Sequence, residues 1–189
     1  DTPQSSACMP DPVIPPTPML RPVRHMQLWM TWALFLCALD QLSKTWVLRT
    51  LLPEQVIRLT DHLNLVLVFN KGAAFSFLAA AGGWQTPLLI AVALLAMGLM
   101  LWMLWRTAGA THFHWALTLI LSGALGNLID RLRFGQVVDF IDVHAFGWHW
   151  PAFNVADSAI SIGAVLLIID SLRQPALAVS TTTTTTTDR

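Results

Sequence analysis

The chain has 189 residues, of which 54% are hydrophobic and only 12% are charged. A soluble domain of this size rarely has so apolar a composition, so we expect a membrane protein that contacts membrane lipids. The formal net charge is zero, which removes the electrostatic basis for a nucleic-acid partner. Cys8 and Cys37 lie in a proline-rich stretch and an apolar run, a pattern that predicts neither a disulfide framework nor a metal cluster.

The two ends of the chain have compositions that do not build a folded core. Residues 1–25 contain seven prolines, and residues 181–187 are an unbroken run of threonine. Segments of such low complexity are typical of disordered chain. We therefore expect disordered tails over residues 1–25 and 174–189, and a membrane domain over residues 26–173.

Four apolar runs approach the length of about 20 residues that crosses the hydrocarbon core of a bilayer. They cover residues 28–47, 87–105, 113–129 and 152–169. Between the first two runs, Leu63, Leu65, Leu67 and Phe69 alternate with their neighbours in the period of a β-strand. The predicted fold class is therefore an all-α membrane protein with four transmembrane helices and a small β-sheet against the membrane surface.

Tryptophan residues are concentrated at or near the ends of the apolar runs. They are Trp29, Trp46, Trp84, Trp102, Trp105, Trp115, Trp148 and Trp150. This distribution is typical of the aromatic belt that a membrane protein forms at the lipid–water interface. The alternative is that these rings pack inside the protein.

The orientation of the spans follows from their number and from the first of them. An even number of spans puts both termini on one side and both long loops on the other. Counting positive charges over all loops does not separate the two sides, but Arg21 and Arg24 precede the first span, which usually dominates. We therefore expect both termini in the cytoplasm.

Several polar side chains interrupt the apolar runs, and they all fall in the same half of the membrane. Asp40 lies in the second half of the first run, Asn127 and Asp130 end the third, and Asp157 begins the fourth. An ionisable group inside a span costs about 2.5 to 3.5 kcal/mol on insertion and generally has a function. These residues therefore predict one polar site near the face of the membrane that the long loops cover.

Structural explanations compete for the charged residues of the first and third runs. Asp40 and Lys44 are four residues apart, so they share a helix face and can pair simply to reduce the cost of burial. Asp130 precedes Arg131, and the two can form an ordinary ion pair at the interface. We favour these structural interpretations for Asp40 and Asp130.

Alternatives also exist for the polar residues of the last loop and last span. Asn154 or Asp157 can cap the fourth helix. Asp142 can be a solvated loop residue, and Asp170 lies at the far end of the fourth run, away from the site.

The sequence lacks the residues that metal-dependent chemistry and serine-dependent chemistry each require. No His-Glu-x-x-His motif occurs, and His112 and His114 lie in the turn on the opposite side of the membrane. Ser122 lies deep in the third run without a histidine partner. The remaining site is rich in carboxylates and amides, and we expect no metal and no cofactor.

Five blocks of the sequence combine polar and charged residues with short apolar stretches: DQLSK at 40–44, NKGAAFS at 70–76, GNLIDR at 126–131, VVDF at 137–140 and FNVADS at 153–158. In content and order they resemble the signature blocks of the signal peptidase II family of membrane aspartic proteases, and the resemblance covers residues 28–173. The resemblance implies a four-helix domain in the bacterial cytoplasmic (inner) membrane, with a small extracytoplasmic sheet, a mobile periplasmic segment and an active site near the extracytoplasmic face.

The resemblance also implies roles for individual residues. The aspartates of the fourth and fifth blocks, Asp139 and Asp157, match the family's catalytic pair. Seven further residues match positions that support the site or hold the substrate: Asp40, Lys44, Asn70, Gly72, Asn127, Arg131 and Asn154.

The activity that the resemblance implies is hydrolysis of a peptide bond just before a cysteine that carries a diacylglyceryl group. The expected partners are the lipidated signal peptides of prolipoproteins, and the expected enzyme is a monomer. Two carboxylates suffice for such chemistry, because one takes a proton from the attacking water while the other, protonated, polarises the carbonyl. The alternative function is a small polytopic transporter or scaffold with structural intramembrane acids.

Overall fold

The computed structural model describes residues 21–72, 84–107 and 111–173, without the side chains of residues 21–25. In this part of the chain the helices are α1 (Arg21–Thr50), α2 (Gln85–Arg106), α3 (Thr111–Phe134) and α4 (Val155–Arg173). The strands are β1 (Val56–Thr60), β2 (Leu63–Asn70), β3 (Val137–Ala145) and β4 (Trp148–His149). Residues 1–20 and 174–189 of the predicted tails, the predicted turn at Gly109 and residues 73–83 lie outside the described residues. Residues 21–25, which the prediction placed in the first disordered tail, are the start of α1 instead.

Each predicted apolar run forms a helix. The first three helices extend beyond the predicted limits, whereas the fourth begins at Val155 rather than at Ala152. By length and composition, α2 and α4 are apolar enough to cross a membrane. The charged and amide residues of the predicted site lower the hydropathy of α1 and α3.

Helix α3 is the centre of the helical bundle, because α1, α2 and α4 each pack mainly against it. Two glycines lie where α3 and α4 approach each other closely. A Cβ atom on Gly123 would meet the carbonyl oxygen of Ala156, and one on Gly163 would lie 2.7 Å from the carbonyl oxygen of Ala116. Small residues let helix backbones approach closely in membrane proteins, and here they bring the start of α4 against α3.

The four strands form one antiparallel sheet in the order β1-β2-β3-β4. It packs against the C-terminal end of α1 through a cluster of apolar side chains. The buried members of this cluster are Val47, Leu51, Leu65, Leu67, Val138 and Phe140. The sheet therefore covers the end of the bundle where the predicted polar site lies.

The strand predicted from the alternation of residues 63–69 is confirmed as β2, but its burial does not alternate. Four consecutive residues, Asn64 to Leu67, are buried. The pairing with β3 shifts register between Leu65 and Val68, and such a bulge interrupts the two-residue period.

No strand is predicted from the sequence between the third and fourth apolar runs, yet this connection forms β3 and β4. The fold is therefore mostly helical with an antiparallel sheet, not all-α. Strand β3 is largely buried between β2 and the bundle. Asp139 and Asp142 are thus strand residues.

The aromatic belt is only partly as predicted. Six of the eight tryptophans are exposed on the protein surface: Trp46, Trp84, Trp102, Trp105, Trp148 and Trp150. Trp115 is partly buried. Trp29 is buried instead and stacks on His114, with 5.4 Å between ring centroids. Its interior position makes it a packing residue of α1 against α3.

The close approach of α3 and α4 gives a test of the bundle. We expect Gly123→Ala to lower the melting temperature, because the new methyl group would overlap the Ala156 carbonyl and lie 2.7 Å from Ile160 Cγ1. Overpacking of this kind costs about 1 to 3 kcal/mol. Gly98→Ala is the matched control, since a Cβ atom there meets nothing within 4 Å. Equal melting temperatures for the two variants would show that α3 and α4 are not closely packed at Gly123.

Candidate active site

The ammonium group of Lys44 is buried at the centre of the predicted polar cluster. Its Nζ lies 2.9 Å from Asp40 Oδ2 and 2.8 Å from Asp130 Oδ2, and it donates to Asn127 Oδ1 at 3.0 Å. A lysine ammonium has three donors and no acceptor, so each of its donors has a partner. The cluster is a closed network between α1 and α3.

The predicted pairing of Asp40 with Lys44 is confirmed, whereas that of Asp130 with Arg131 is wrong. Asp130 is buried and pairs with Lys44. Adjacent residues of a helix point in directions about 100° apart, so Arg131 does not face the same side as Asp130. Asp130 is therefore part of the buried network rather than an interfacial ion pair.

The two carboxylates that bind Lys44 also hold the backbone in front of the two predicted catalytic residues. Asp130 Oδ2 accepts a hydrogen bond from the backbone N–H of Val138 at 3.1 Å, directly before Asp139. Asp40 Oδ1 accepts one from the backbone N–H of Ala156 at 2.9 Å, directly before Asp157. A single buried cation thus organises the positions of both aspartates.

Gln41 belongs to the same network, although no role is predicted for it from the sequence. Its Nε2 lies within hydrogen-bonding distance of Asp130 Oδ1 at 2.9 Å, the carbonyl oxygen of Gly126 at 3.1 Å and Asp40 Oδ2 at 3.3 Å. The sequence feature that indicates such a role is an amide side chain beside Asp40 within an otherwise apolar run.

The side-chain amide of Asn127 has a determined orientation, because its oxygen faces donors. Lys44 Nζ and, at 3.3 Å, Asn154 Nδ2 both donate to Asn127 Oδ1. The amide nitrogen must therefore point the other way, where it donates to Asp157 Oδ1 at 2.7 Å. The side-chain amide of Asn127 therefore links Lys44 to Asp157 by hydrogen bonds.

Asn154 is the residue that contacts both predicted catalytic aspartates. The predicted alternative in which Asn154 caps the fourth helix is confirmed. Its Oδ1 accepts a hydrogen bond from the backbone N–H of Asp157 at 2.9 Å. Its Nδ2 donates to Asp139 Oδ1 at 2.6 Å and also lies 3.2 Å from the carbonyl oxygen of Val138. The cap therefore orients the amide toward Asp139.

Asp139 is buried in β3 and accepts a second hydrogen bond, from Asn70 Nδ2 to its Oδ2 at 2.9 Å. The side-chain oxygen of Asn70 in turn accepts the backbone N–H of Gly72 at 2.9 Å. Gly72 has a φ of 108°, which favours glycine. Burial raises the pKa of Asp139 to about 7, and the charge of Asp157 adds to this rise.

Two cavities meet at the rim formed by Asn70, Pro151 and Ala152. Asp139 lines the smaller cavity, of about 310 Å³, and Asp157 lines the larger, of about 920 Å³. Arg131 also lines the larger cavity and donates to the carbonyl oxygen of Asn127 at 3.3 Å. The two carboxylates are therefore reached from adjoining spaces.

Asp142 is not the solvated loop residue that the sequence suggested. It is buried in β3, where its carboxylate accepts a hydrogen bond from Asn64 Nδ2 at 2.8 Å and lies 2.9 Å from His149 Nδ1. The reason is the unpredicted strand, which pairs Asp142 with Asn64 of β2.

The arrangement suits acid–base chemistry by two carboxylates. Asp139 and Asp157 are linked by Asn154 and interact electrostatically. Like charges that interact disfavour simultaneous ionisation, so such a pair tends to share a proton. Within the described residues, no group of three His, Cys, Asp or Glu side chains could hold a metal ion.

Comparisons with known proteins agree in sequence and in fold. Residues 32–173 match the profile of the family described as Signal peptidase (SPase) II. A lipoprotein signal peptidase of Ralstonia nicotianae is 53% identical over 146 residues, which are 77% of this chain and 84% of the relative. One of Cupriavidus necator is 50% identical over 147 residues, which are 78% and 84% of the two chains.

Two solved structures described as bacterial membrane enzymes have the same fold. They align with TM-scores of 0.69 and 0.70 at 31% and 30% identity. The first alignment covers 77% of this chain and 88% of the other, and the second covers 79% and 95%. The likeness therefore extends over most of the described helices and strands.

The raised pKa of Asp139 predicts how stability depends on pH. The folded state favours the protonated carboxyl, so this contribution is complete below the ordinary pKa of 3.8 and is lost as the pH rises through about 7. We expect the melting temperature of the wild type to fall more steeply between pH 4.5 and 8 than that of Asp139→Asn. The measurement is thermal unfolding across this range in one detergent.

The control for this measurement is Asp61→Asn, since the side chain of Asp61 is 86% exposed. Its melting curve against pH should run parallel to that of the wild type. A parallel curve for Asp139→Asn as well would contradict the raised pKa.

Proposed function

The chain belongs to the signal peptidase II family, and we propose that Asp139 and Asp157 are its catalytic residues. It is a protease that cleaves the signal peptides of lipoprotein precursors, and it is a membrane protein. The observation that carries the assignment of the pair is that one buried side chain, Asn154, hydrogen-bonds Asp139 and caps the helix at Asp157.

The proposed reaction is hydrolysis by an aspartate pair that shares one proton. The ionised carboxylate takes a proton from water as the water oxygen attacks the scissile carbonyl carbon, while the protonated carboxyl donates a hydrogen bond to the carbonyl oxygen. The carbon–nitrogen bond then breaks, and the leaving nitrogen receives a proton from the pair. The signal peptide leaves with a new carboxylate and the mature chain with a free amine.

Burial supports Asp139 as the member that holds the proton near pH 7, because its pKa is raised to about 7. Asp157 occupies the first turn of α4, where the positive end of the helix dipole favours a negative charge. Only its Oδ1 has a hydrogen-bond partner among the described residues, Asn127. Its Oδ2 is thus available to water or substrate in the larger cavity.

The remaining residues have supporting roles in this proposal. Lys44 and Asp40 hold the backbone and orient Asn127, while Asn127 and Asn154 orient the two carboxylates. Asn70 donates a hydrogen bond to Asp139, and the backbone N–H of Gly72 holds the side chain of Asn70 in place. Arg131 faces the larger cavity, where its guanidinium suits carbonyl and ester oxygens of the substrate.

The substrate proposed for this site is a prolipoprotein that already carries a diacylglyceryl group on its cysteine, cut just before that cysteine. We propose that the enzyme acts as a monomer with neither metal nor cofactor. The family membership leaves the alternative of a small transporter or scaffold without support.

The proposed topology is four transmembrane helices in the bacterial inner membrane, with both termini in the cytoplasm and the sheet outside. The support is the apolar surface of α2 and α4, the even number of helices in the described part of the chain, and the position of the sheet at one end of the bundle. In this arrangement the aspartates lie near the extracytoplasmic face.

Substitution of either aspartate tests the catalytic pair. We expect Asp139→Asn and Asp157→Asn each to lower kcat by at least about a hundredfold, because general acid–base catalysis contributes 10²- to 10⁴-fold. The double variant should be no worse than either single one, since residues that act as a unit are not additive. The measurement is cleavage of a purified lipidated prolipoprotein, with and without a chelator.

Asp170→Asn is the matched control, because Asp170 is a carboxylate at the opposite end of α4. Its turnover should equal that of the wild type, and chelator should leave both unchanged. Substantial turnover by folded Asp157→Asn would show that the wrong pair is assigned, and inhibition by chelator that zinc reverses would exclude this mechanism.

Reporter fusions test the topology. A reporter placed at Gly109 or after Arg173 should be active only in the cytoplasm, and one at Glu54, in the loop before β1, only outside it. A cytoplasmic signal at Glu54 would reverse the proposed orientation.

A further inference from the structure

Asp142 is a buried carboxylate that the proposed reaction does not use. It lies in β3 opposite Asn64, which donates a hydrogen bond to its Oδ2 at 2.8 Å. His149 Nδ1 lies 2.9 Å from its Oδ1 and 3.0 Å from its Oδ2. Burial alone would raise the pKa of Asp142, but the hydrogen bonds from Asn64 and His149 and the nearby histidine charges lower it below 3.8.

The ionised carboxylate of Asp142 determines which nitrogen of His149 carries hydrogen. A carboxylate only accepts hydrogen bonds, so Nδ1 of His149 must be the protonated nitrogen. The ring is also held from one side by His144, its cross-strand neighbour, with 4.8 Å between the stacked ring centroids. The imidazole of His149 therefore has a defined orientation although its side chain is 56% exposed.

The remaining polar atom of His149 is Nε2, which makes no hydrogen bond to any other described residue. The residue lines the larger cavity together with Asp157 and Arg131. A neutral ring with hydrogen on Nδ1 offers Nε2 as an acceptor, and a protonated ring offers it as a donor. Both forms can bind peptide backbone, through an N–H group or a carbonyl oxygen.

We propose that His149, oriented by Asp142, is a substrate-binding residue that hydrogen-bonds the peptide backbone of the prolipoprotein in the larger cavity. The inference rests on the proposed function, and it adds a contact that the signature blocks do not contain. Asp142 is a positioning residue in this arrangement, because it acts on the substrate only through His149. The contact contributes to binding of the peptide, whereas Asp139 and Asp157 carry out the reaction.

The test is steady-state kinetics of purified His149→Phe on a lipidated prolipoprotein. Loss of one hydrogen bond should raise KM about three- to tenfold while kcat stays within about twofold. His149→Gln should recover part of the loss, because an amide both donates and accepts. His62→Phe is the matched control, since His62 is an exposed histidine beside His144 that does not line either cavity, and its KM should equal that of the wild type.

A second substrate separates the peptide backbone from the lipid as the bound group. In this substrate, ether links replace the two ester links of the diacylglyceryl group. The increase in KM for His149→Phe should be the same for both substrates. Disappearance of the increase with the ether-linked substrate would identify ester oxygens as the ligand and overturn the proposal.

Further outcomes separate the possible failures. An unchanged KM for folded His149→Phe would show that this side chain does not bind the substrate. An equal increase for His149→Gln and His149→Phe, together with a lowered melting temperature, would show that the pair of Asp142 and His149 only holds the β3–β4 hairpin. If the wild type itself fails to cleave the lipidated substrate, the proposed function fails; if the wild type cleaves it and His149→Phe is unaffected, only the role of His149 fails.

Discussion

The buried ammonium of Lys44 is the interaction on which the rest of the site depends. Without it, Asp40 and Asp130 would be two buried carboxylates in close proximity, and leaving a buried charge unpaired costs about 3 to 5 kcal/mol. With it, the same carboxylates are free to accept the backbone N–H groups of Ala156 and Val138. One cation on α1 therefore fixes the start of α4 and the middle of β3, the two places from which the aspartates project.

The hydrogen-bonding requirements of this cation determine how the side-chain amides of the site are oriented. An ammonium can only donate, so Asn127 must present its oxygen to Lys44 and its nitrogen to Asp157. Asn154 likewise presents its side-chain oxygen to the backbone N–H of Asp157, which leaves its nitrogen for Asp139. Each carboxylate thus receives a donor whose direction is determined elsewhere, which is the pre-organisation that catalysis requires.

The sequence predicts the helices, strand β2 and the presence of one polar site well, because these depend on local periodicity and on the cost of burying charge. It also predicts the pairing of Asp40 with Lys44, since four residues along a helix is a local distance. It does not predict that Asp130 pairs with Lys44 or that Asp142 is buried. The first contact joins α1 to α3, which are distant in the sequence. The second joins β2 to β3, whose apolar residues do not follow a two-residue alternation.

The two aspartates differ because they are presented by different kinds of structure. Asp139 projects from a buried strand, where removal from water raises its pKa to about 7. Asp157 lies in the first turn of α4, beside the positive end of the helix dipole and at the wall of the larger cavity. A pair of identical residues needs such unequal surroundings if one is to hold a proton while the other takes one. The sheet packed on the end of α1 supplies the first environment and the capped helix supplies the second, so the proposed reaction depends on the small sheet as much as on the helical bundle.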